Sequence, residues 1–385
     1  MGLWKTVKVG DLGRVVTGKT PKTAVQENYG GAIPFLTPSD NMAIKYVNMT
    51  SKMLSERGLS EVKNALLPPG AVCVSCIGSD LGKVVITTEP TVTNQQINSI
   101  IVNTGQFDIS FVYYAMLILG KKLNFISKTS TAVPIVNKSS FSACEIECPP
   151  LEIQRKIASV LSTLDVKIEC NQQINDNLEQ QAQALYTEMF LNNFDDNTTS
   201  GTLSDIAIIT MGQSPSGSSY NEDGIGSVFY QGRAEFGFRF PARRLFTTEP
   251  KRMANAGDIL LSVRAPVGDL NVAYERCCIG RGLGAIHSKD GNNSFILYTM
   301  LALRPKLDVF NGEGTVFGSI NRDALNALPI EIPASDKITQ FETLVHPMDN
   351  LIRSNYEEIC RLETLRDLLL PKLMSGEIDV SGIQL

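Results

Sequence analysis

Two stretches of the chain place apolar residues at alternating spacings of three and four, the period of a coiled-coil seam. The first seam is Ile157, Leu161, Leu164, Ile168, Asn171, Asn175, Leu178, Ala182, Leu185 and Met189, opened by Pro149-Pro150 and closing near Asn192-Asn193. The second is Phe341, Val345, Met348, Ile352, Asn355, Ile359, Leu362, Arg366, Leu369 and Leu373, with Pro347 inside it, a residue expected to kink or restart a helix. About 35 residues at 1.5 Å each make a rod of roughly 50 Å. A rod of that length cannot pack wholly on one small domain, so the two are expected to pair with each other. Between the seams the pattern changes to short apolar runs fed by turns. Pro69-Gly70-Ala71-Val72-Cys73-Val74-Ser75 and Ala256-Gly257-Asp258-Ile259-Leu260-Leu261-Ser262 both read as a turn leading into a buried strand.

These elements occur twice because the chain repeats itself. At one constant offset of 184 residues, Phe111, Tyr114, Met116, Leu117, Leu119, Lys122, Leu123, Thr131, Asn137, Ile146, Glu147 and Pro149 meet Phe295, Tyr298, Met300, Leu301, Leu303, Lys306, Leu307, Thr315, Asn321, Ile330, Glu331 and Pro333. The match covers Phe111 to Phe190 without a gap. Earlier parts need insertions, yet Asp11-Leu12 through Gly18-Lys19-Thr20-Pro21 still answers Asp205-Ile206 through Gly212-Gln213-Ser214-Pro215. Asn171 and Asn355 hold the same seam position near the middle of their rods. An antiparallel pairing would bring them together, and a buried Asn pair fixes register at a cost in stability.

At 385 residues the chain is long for one core and suited to two. The net charge of -5 is unevenly spread: +4 over residues 1–150, -5 over 151–199, +1 over 200–330 and -5 over 331–385. The globular segments are thus mildly basic and the helical ones acidic, which leaves room for a phosphate-facing surface despite the acidic total. Eight scattered cysteines, no charged-then-apolar leader and no apolar run of 18 residues lead us to expect a soluble, cytoplasmic chain with free thiols and no membrane contact.

Motifs for chemistry are few. Gly13-Arg14-Val15-Val16-Thr17-Gly18-Lys19-Thr20 fits G-x-x-x-x-G-K-[ST] in full, but that phosphate cradle needs a buried strand before it and a helix after it. Lys5 to Asp11 alternates, and Thr23 to Gly31 lacks a helical stripe. In the second copy Ala207 and Gln213 replace the first Gly and the Lys, so the shared feature is a Gly-x-[ST]-Pro turn. Cys73-Val74-Ser75-Cys76, with Cys144 and Cys148, has zinc-like spacing, but Cys73 aligns with Leu260 and reads as core. His287 and His346 sit in no nucleophile or metal motif. Neither Leu67-Pro68-Pro69-Gly70 nor Cys148-Pro149-Pro150-Leu151 has the Asp or Asn and the aromatic that an amino-methyltransferase needs. No catalytic residue, metal or cofactor is expected.

What remains suits nucleic acid. In the second copy Arg233, Arg239, Arg243, Arg244, Lys251, Arg252, Arg264 and Arg281 lie in Gly/Pro-punctuated stretches among Phe236, Phe238 and Phe240. The planar Arg fork pairs with guanine O6/N7 or with phosphate. In the first copy the corresponding stretches carry Lys19, Lys22, Ser39, Asn41, Lys83, Asn94, Gln95 and Gln96, where Asn and Gln are suited to adenine. Two modules of one design with different polar loops would read two different half-sites.

With these features in place, the chain resembles the specificity subunit of type I restriction-modification systems over essentially its whole length. The resemblance is carried by Pro150-Leu151-Glu152-Ile153-Gln154-Arg155-Lys156-Ile157-Ala158, by Leu368-Leu369-Leu370-Pro371-Lys372-Leu373-Met374-Ser375-Gly376-Glu377-Ile378, by Gly257-Asp258-Ile259-Leu260-Leu261-Ser262-Val263-Arg264 and by Cys278-Ile279-Gly280-Arg281-Gly282. It implies an α+β protein with two target-recognition domains in a tandem pseudo-two-fold repeat, joined by a long antiparallel coiled-coil spacer. On this reading residues 1–150 form the first recognition domain, 151–198 the first spacer helix, 199–332 the second recognition domain, and 333–385 the second spacer helix and tail. The implied partners are double-stranded DNA, two modification (methyltransferase) subunits and restriction (translocase/nuclease) subunits, the chain itself being non-catalytic. The readings set against it are a P-loop NTPase with a coiled-coil arm and a purely structural assembly scaffold.

Overall fold

The computed structural model describes residues 4–47, 49–78, 81–128, 135–192, 197–312 and 318–383. Thr131 and Thr315 of the repeat, and Asn193 at the end of the first seam, lie outside the described residues. The chain forms two compact units: residues 1–170 with 358–385, and residues 171–357. Each unit therefore contains a globular part and a portion of each long helix.

In the first unit the strand Val72–Ser75 lies between Ile97–Val102 and Val84–Thr87 in a five-stranded sheet, with Gly13–Thr17 and Tyr46–Val47 at its edges. All four of its residues are buried, as expected for a strand covered on both faces. The two-residue period of the strand sorts them. Val72 and Val74 join Val84, Ile86 and Ile100 in packing against Phe111, Val112 and Met116 of the helix Ile109–Lys128. Cys73 and Val85 face the opposite way, onto Phe35, Leu36, Leu54 and Val92 of a second, four-stranded sheet.

The second unit repeats these layers. Ile259 and Leu261 of the strand Ile259–Ser262 pack with Ile286 on Phe295, Ile296 and Met300 of the helix Asn293–Ala302. Leu260 and Ala285 pack with Val228, Tyr230 and Ile279 of the other sheet. The matched pairs Phe111/Phe295, Tyr114/Tyr298 and Met116/Met300 are all buried. Asn137 and Asn321 also share one role: each caps a short helix, accepting from Ser140 N at 2.9 Å and from Ala324 N at 2.8 Å.

The seams form helices of 36 residues, Leu151–Tyr186, and 40 residues, Ser335–Met374, about 54 and 60 Å long at 1.5 Å per residue. The first continues into a π-helical turn, Thr187–Asn192. In the first unit Ile157 and Leu161 share a core with Leu370 and Leu373, Asp165 pairs with Arg366 at 3.3 Å, and Lys167 with Glu358 at 3.3 Å. In the second unit Ala182 and Tyr186 share a core with Phe341 and Val345. In each unit one helix ascends in number as its partner descends, so the segments are antiparallel. Of the seam residues, Ile157, Leu161, Ile168, Asn171, Ile352, Asn355 and Ile359 are buried, while Leu164, Leu178, Leu185, Met348, Leu362 and Leu369 are half-buried.

The structure bears on two expectations about the helices. The second helix does not restart at Pro347: its helical run is unbroken from Ser335 to Met374, because Val345 and Ile352 on either side are wholly buried and hold the turn in place. Asn355 has a hydrogen-bonded partner in the opposite seam. Its Nδ2 donates to Asn175 Oδ1 at 2.8 Å, one helical turn beyond Asn171, and all three Asn side chains are buried.

Candidate DNA interface

The first unit gathers several of its candidate residues around one turn. Gly18 N donates to Ile97 O at 3.0 Å and Lys19 N to Thr93 O at 2.8 Å, fastening the turn Gly18–Pro21 to the loop 93–97. Only glycine fits at the contact, since a Cβ at Gly18 would lie 2.0 Å from Asn94 O. Thr20 Oγ1 donates to Gln95 Oε1 at 2.6 Å. Lys19 and Gln95 are exposed, and Gln96 half-exposed. Asn94 is buried; its Nδ2 donates to Gln96 Oε1 at 2.9 Å and its Oδ1 accepts from Gln96 N, so it shapes the loop from beneath. Ser39 and Asn41 are exposed on the adjoining loop, which Asp40 closes by accepting from Thr37 N and Ser51 N, each at 2.7 Å. Lys22 and Lys83 are exposed on neighbouring loops.

The second unit builds the same frame with other side chains. Gly212 N donates to Leu283 O and Gln213 N to Ile279 O, both at 2.9 Å, and a Cβ at Gly212 would lie 2.1 Å from Gly280 O. Arg281 N donates to Ser214 Oγ at 3.2 Å, so Arg281 stands where Gln95 stands in the first unit. Arg264 forms a bridge with Ser319, as Ile77 does with Ile135, and these too are equivalent positions. Arg264 and Arg281 are exposed. Arg233 and Arg243 are also exposed, but each has a carboxylate partner, Asp269 and Glu275 respectively, and Asp269 also holds Arg304 at 2.7 Å.

Arg239 is a correction. Its side chain is 5% exposed, and its guanidinium donates to Asp349 Oδ1 at 2.9 Å, Glu179 Oε1 at 2.9 Å and Tyr298 Oη at 3.2 Å. Burial acts to lower its pKa, but Tyr298, Asp349 and Glu179 outweigh that and raise it. Its charge is neutralised inside the unit and is not available to DNA.

Sequence reasoning missed its counterpart. Lys45 Nζ donates to Tyr114 Oη at 3.1 Å and to Ser162 Oγ at 2.8 Å, and lies 3.9 Å from Asp165. Burial lowers the Lys45 pKa, opposed by Asp165 and Asp108. The 184-residue offset that relates Tyr114 to Tyr298 also relates Asp165 to Asp349, and that was the available signal.

The discounted motifs are placed too. Gly13–Thr17 of the P-loop-like run is an edge strand, and the next helical element among the described residues is a 3-10 turn at Gln26–Asn28, not the helix a phosphate cradle needs. Cys73 is wholly buried, with its thiol pushed up to about 12 by that burial, and accepts from Ser99 Oγ at 3.3 Å. All eight cysteines are free thiols. His287 is exposed beside Asp258 at 2.7 Å.

The description "Type I restriction modification DNA specificity domain" matches the chain twice, over residues 1–180 and 196–360. The chain belongs to the type I restriction-modification DNA specificity family. Among its relatives, the putative type I restriction enzyme MjaX specificity subunit of Methanocaldococcus jannaschii is 32% identical over 275 residues, 66% of this chain and 64% of that protein. The MjaIX specificity subunit of the same organism is 26% identical over 416 residues, covering 99% and 94%. The crystal structure of the type I restriction-modification S subunit from M. genitalium has the same fold, with a TM-score of 0.62 at 15% identity over 97% of this chain and 96% of that one. The relatives are named specificity subunits, and none of these comparisons supports the P-loop reading.

Proposed function

We propose that the chain is the DNA sequence-recognition subunit of a type I restriction-modification complex, with residues 1–150 and 199–332 reading the two halves of a split site. The observation that carries this reading is that two units of one fold present different side chains from the same backbone positions, Gln95 against Arg281 and Ile77 against Arg264. Gln is suited to adenine and Arg to guanine or phosphate. In the first unit Lys19, Lys22, Ser39, Asn41, Lys83, Gln95 and Gln96 form the proposed contact set. Asn94 supports the loop that carries it. In the second unit Arg264 and Arg281 are the proposed readers, with Arg233 and Arg243 beside them for the phosphate backbone. The helices in 151–198 and 333–385 act as the spacer. Their acidic surfaces would dock two modification subunits and, through them, restriction subunits, away from the phosphates. The reading places the complex in the cytoplasm. The stretch Ile109–Ile126, although Lys121 and Lys122 interrupt it, is on average apolar enough and long enough to cross a membrane, but Phe111, Val112, Tyr114 and Met116 within it fill the core of the first unit.

Methylation mapping in cells that carry the chain with its modification subunit tests this. A split motif of fixed spacing, altered in one half only by Arg264→Ala or Arg281→Ala, is the expected result. A continuous motif, or none despite an assembled complex, would overturn it.

A further inference from the structure

Lys45 and Arg239 occupy one backbone position in two copies of the same fold. Lys45 O accepts from Ile86 N at 2.7 Å, and Arg239 O from Val272 N at 2.8 Å, at matching points of equivalent strands. Each follows by ten residues a phenylalanine, Phe35 or Phe229, in the strand that pairs in parallel with its neighbour. From that position each cation reaches a tyrosine on the helix that covers the sheet and an aspartate on a long helix. In the first unit these are Tyr114, which donates to Asp165, and Asp165 itself; in the second, Tyr298 donates to Asp349 at 3.1 Å. The opposite long helix joins both clusters, through Arg366 on Asp165 at 3.3 Å and through Glu179 on Arg239 at 2.9 Å. Each cluster thus ties a recognition loop to both long helices, with side chains 5% exposed for Arg239 and 9% for Lys45.

A buried ionic cluster is a poor source of net stability, because desolvation opposes the attraction, but it is directional. An apolar contact of the same volume would let the loop slide over the helices, whereas a charged group with several hydrogen-bond partners has one satisfied geometry. The occurrence of the same device twice, with the cation changed from Lys to Arg, indicates that geometry is what is kept.

We propose that Lys45 and Arg239 are positioning residues, fastening each recognition module at a fixed angle on the long helices and so setting the separation of the half-sites without choosing their bases. This rests on the function proposed above.

The test uses the chain assembled with its modification subunits and a DNA library in which the native half-sites are separated by the native spacer or by one base pair more or fewer. Arg239→Met and Lys45→Met, and the milder Tyr298→Phe and Tyr114→Phe should the Met variants fail to fold, are expected to keep both base patterns. Their preference for the native spacer should fall about tenfold. The conservative Arg239→Lys and Lys45→Arg should restore it. Variants that keep the native spacer preference, whether or not methylation declines, would overturn the proposal, as would a changed base pattern in either half. A native chain with no split motif would defeat the underlying function, whereas a split motif whose spacer the variants respect defeats the fastener alone.

Discussion

Arg239 Nη1 lies 2.9 Å from Asp349 Oδ1, a bond between the second module's recognition loop and the long helix on which that module is built. Removing one partner from a buried pair leaves the other charge uncompensated. Arg239→Ala is therefore expected to destabilise the second unit by about 3–5 kcal/mol, and the Arg239→Ala/Asp349→Ala double variant by less than the sum of the single changes. Denaturant unfolding of the single and double variants measures this.

Asn355 and Asn175 supply a second buried polar contact. Asn355→Leu is expected to cost about 1–3 kcal/mol, because an amide is left without its partner in an apolar seam. Asn175→Leu/Asn355→Leu should recover most of that loss while weakening the choice of helix register. Thermal unfolding of the three variants, with cross-linking of cysteine pairs placed in the native register, separates the two effects.

Among the surface residues, Lys19 and Arg281 should behave differently. Arg281→Ala is expected to cost about 1–3 kcal/mol of discrimination at one position of the DNA site. Lys19→Ala should weaken binding to all sequences alike and reduce the salt slope by about one. Binding titrations at several salt concentrations, on cognate and single-mismatch duplexes, distinguish a base contact from a phosphate contact.

Asp40 provides a pH dependence. Burial alone would raise its pKa, but hydrogen bonds from Ser51 and Thr37 outweigh burial and hold it below the usual carboxylate value. A carboxyl depressed in the folded state contributes stability above its unfolded pKa of about 3.9 and loses it as pH falls through the folded value. The native chain should therefore lose stability below about pH 4 more steeply than Asp40→Asn. Unfolding free energies measured on both across that range check the sign.

How much of this could be read from residues alone varies with the feature. The twofold repeat, the strands around Val72 and Ile259 and the two long helices were legible because burial imposes periods of two and of three-and-four on sequence. The Gly-x-[ST]-Pro turn was legible as a turn, and the distances at Gly18 and Gly212 supply its reason, backbone approaching backbone where no Cβ fits. At Pro347 local propensity alone argues for a restart, whereas the buried Val345 and Ile352 accompany an unbroken helical run.

By itself, then, the sequence determined the modular plan: two related cores, two rods, different polar loops. Tertiary structure alone decided which polar residues are exposed, paired or buried. Arg233, Arg239 and Arg281 look alike in sequence, each a lone cation near glycines, yet Arg281 is exposed, Arg233 shares Asp269, and Arg239 is buried between two carboxylates on two helices. Lys45 and Arg239 escaped comparison because they are related by an offset of 194, whereas their partners Tyr114/Tyr298 and Asp165/Asp349 are related by 184. A charge's role depends on what lies within a few ångströms of it, and residues distant in the chain supply those neighbours.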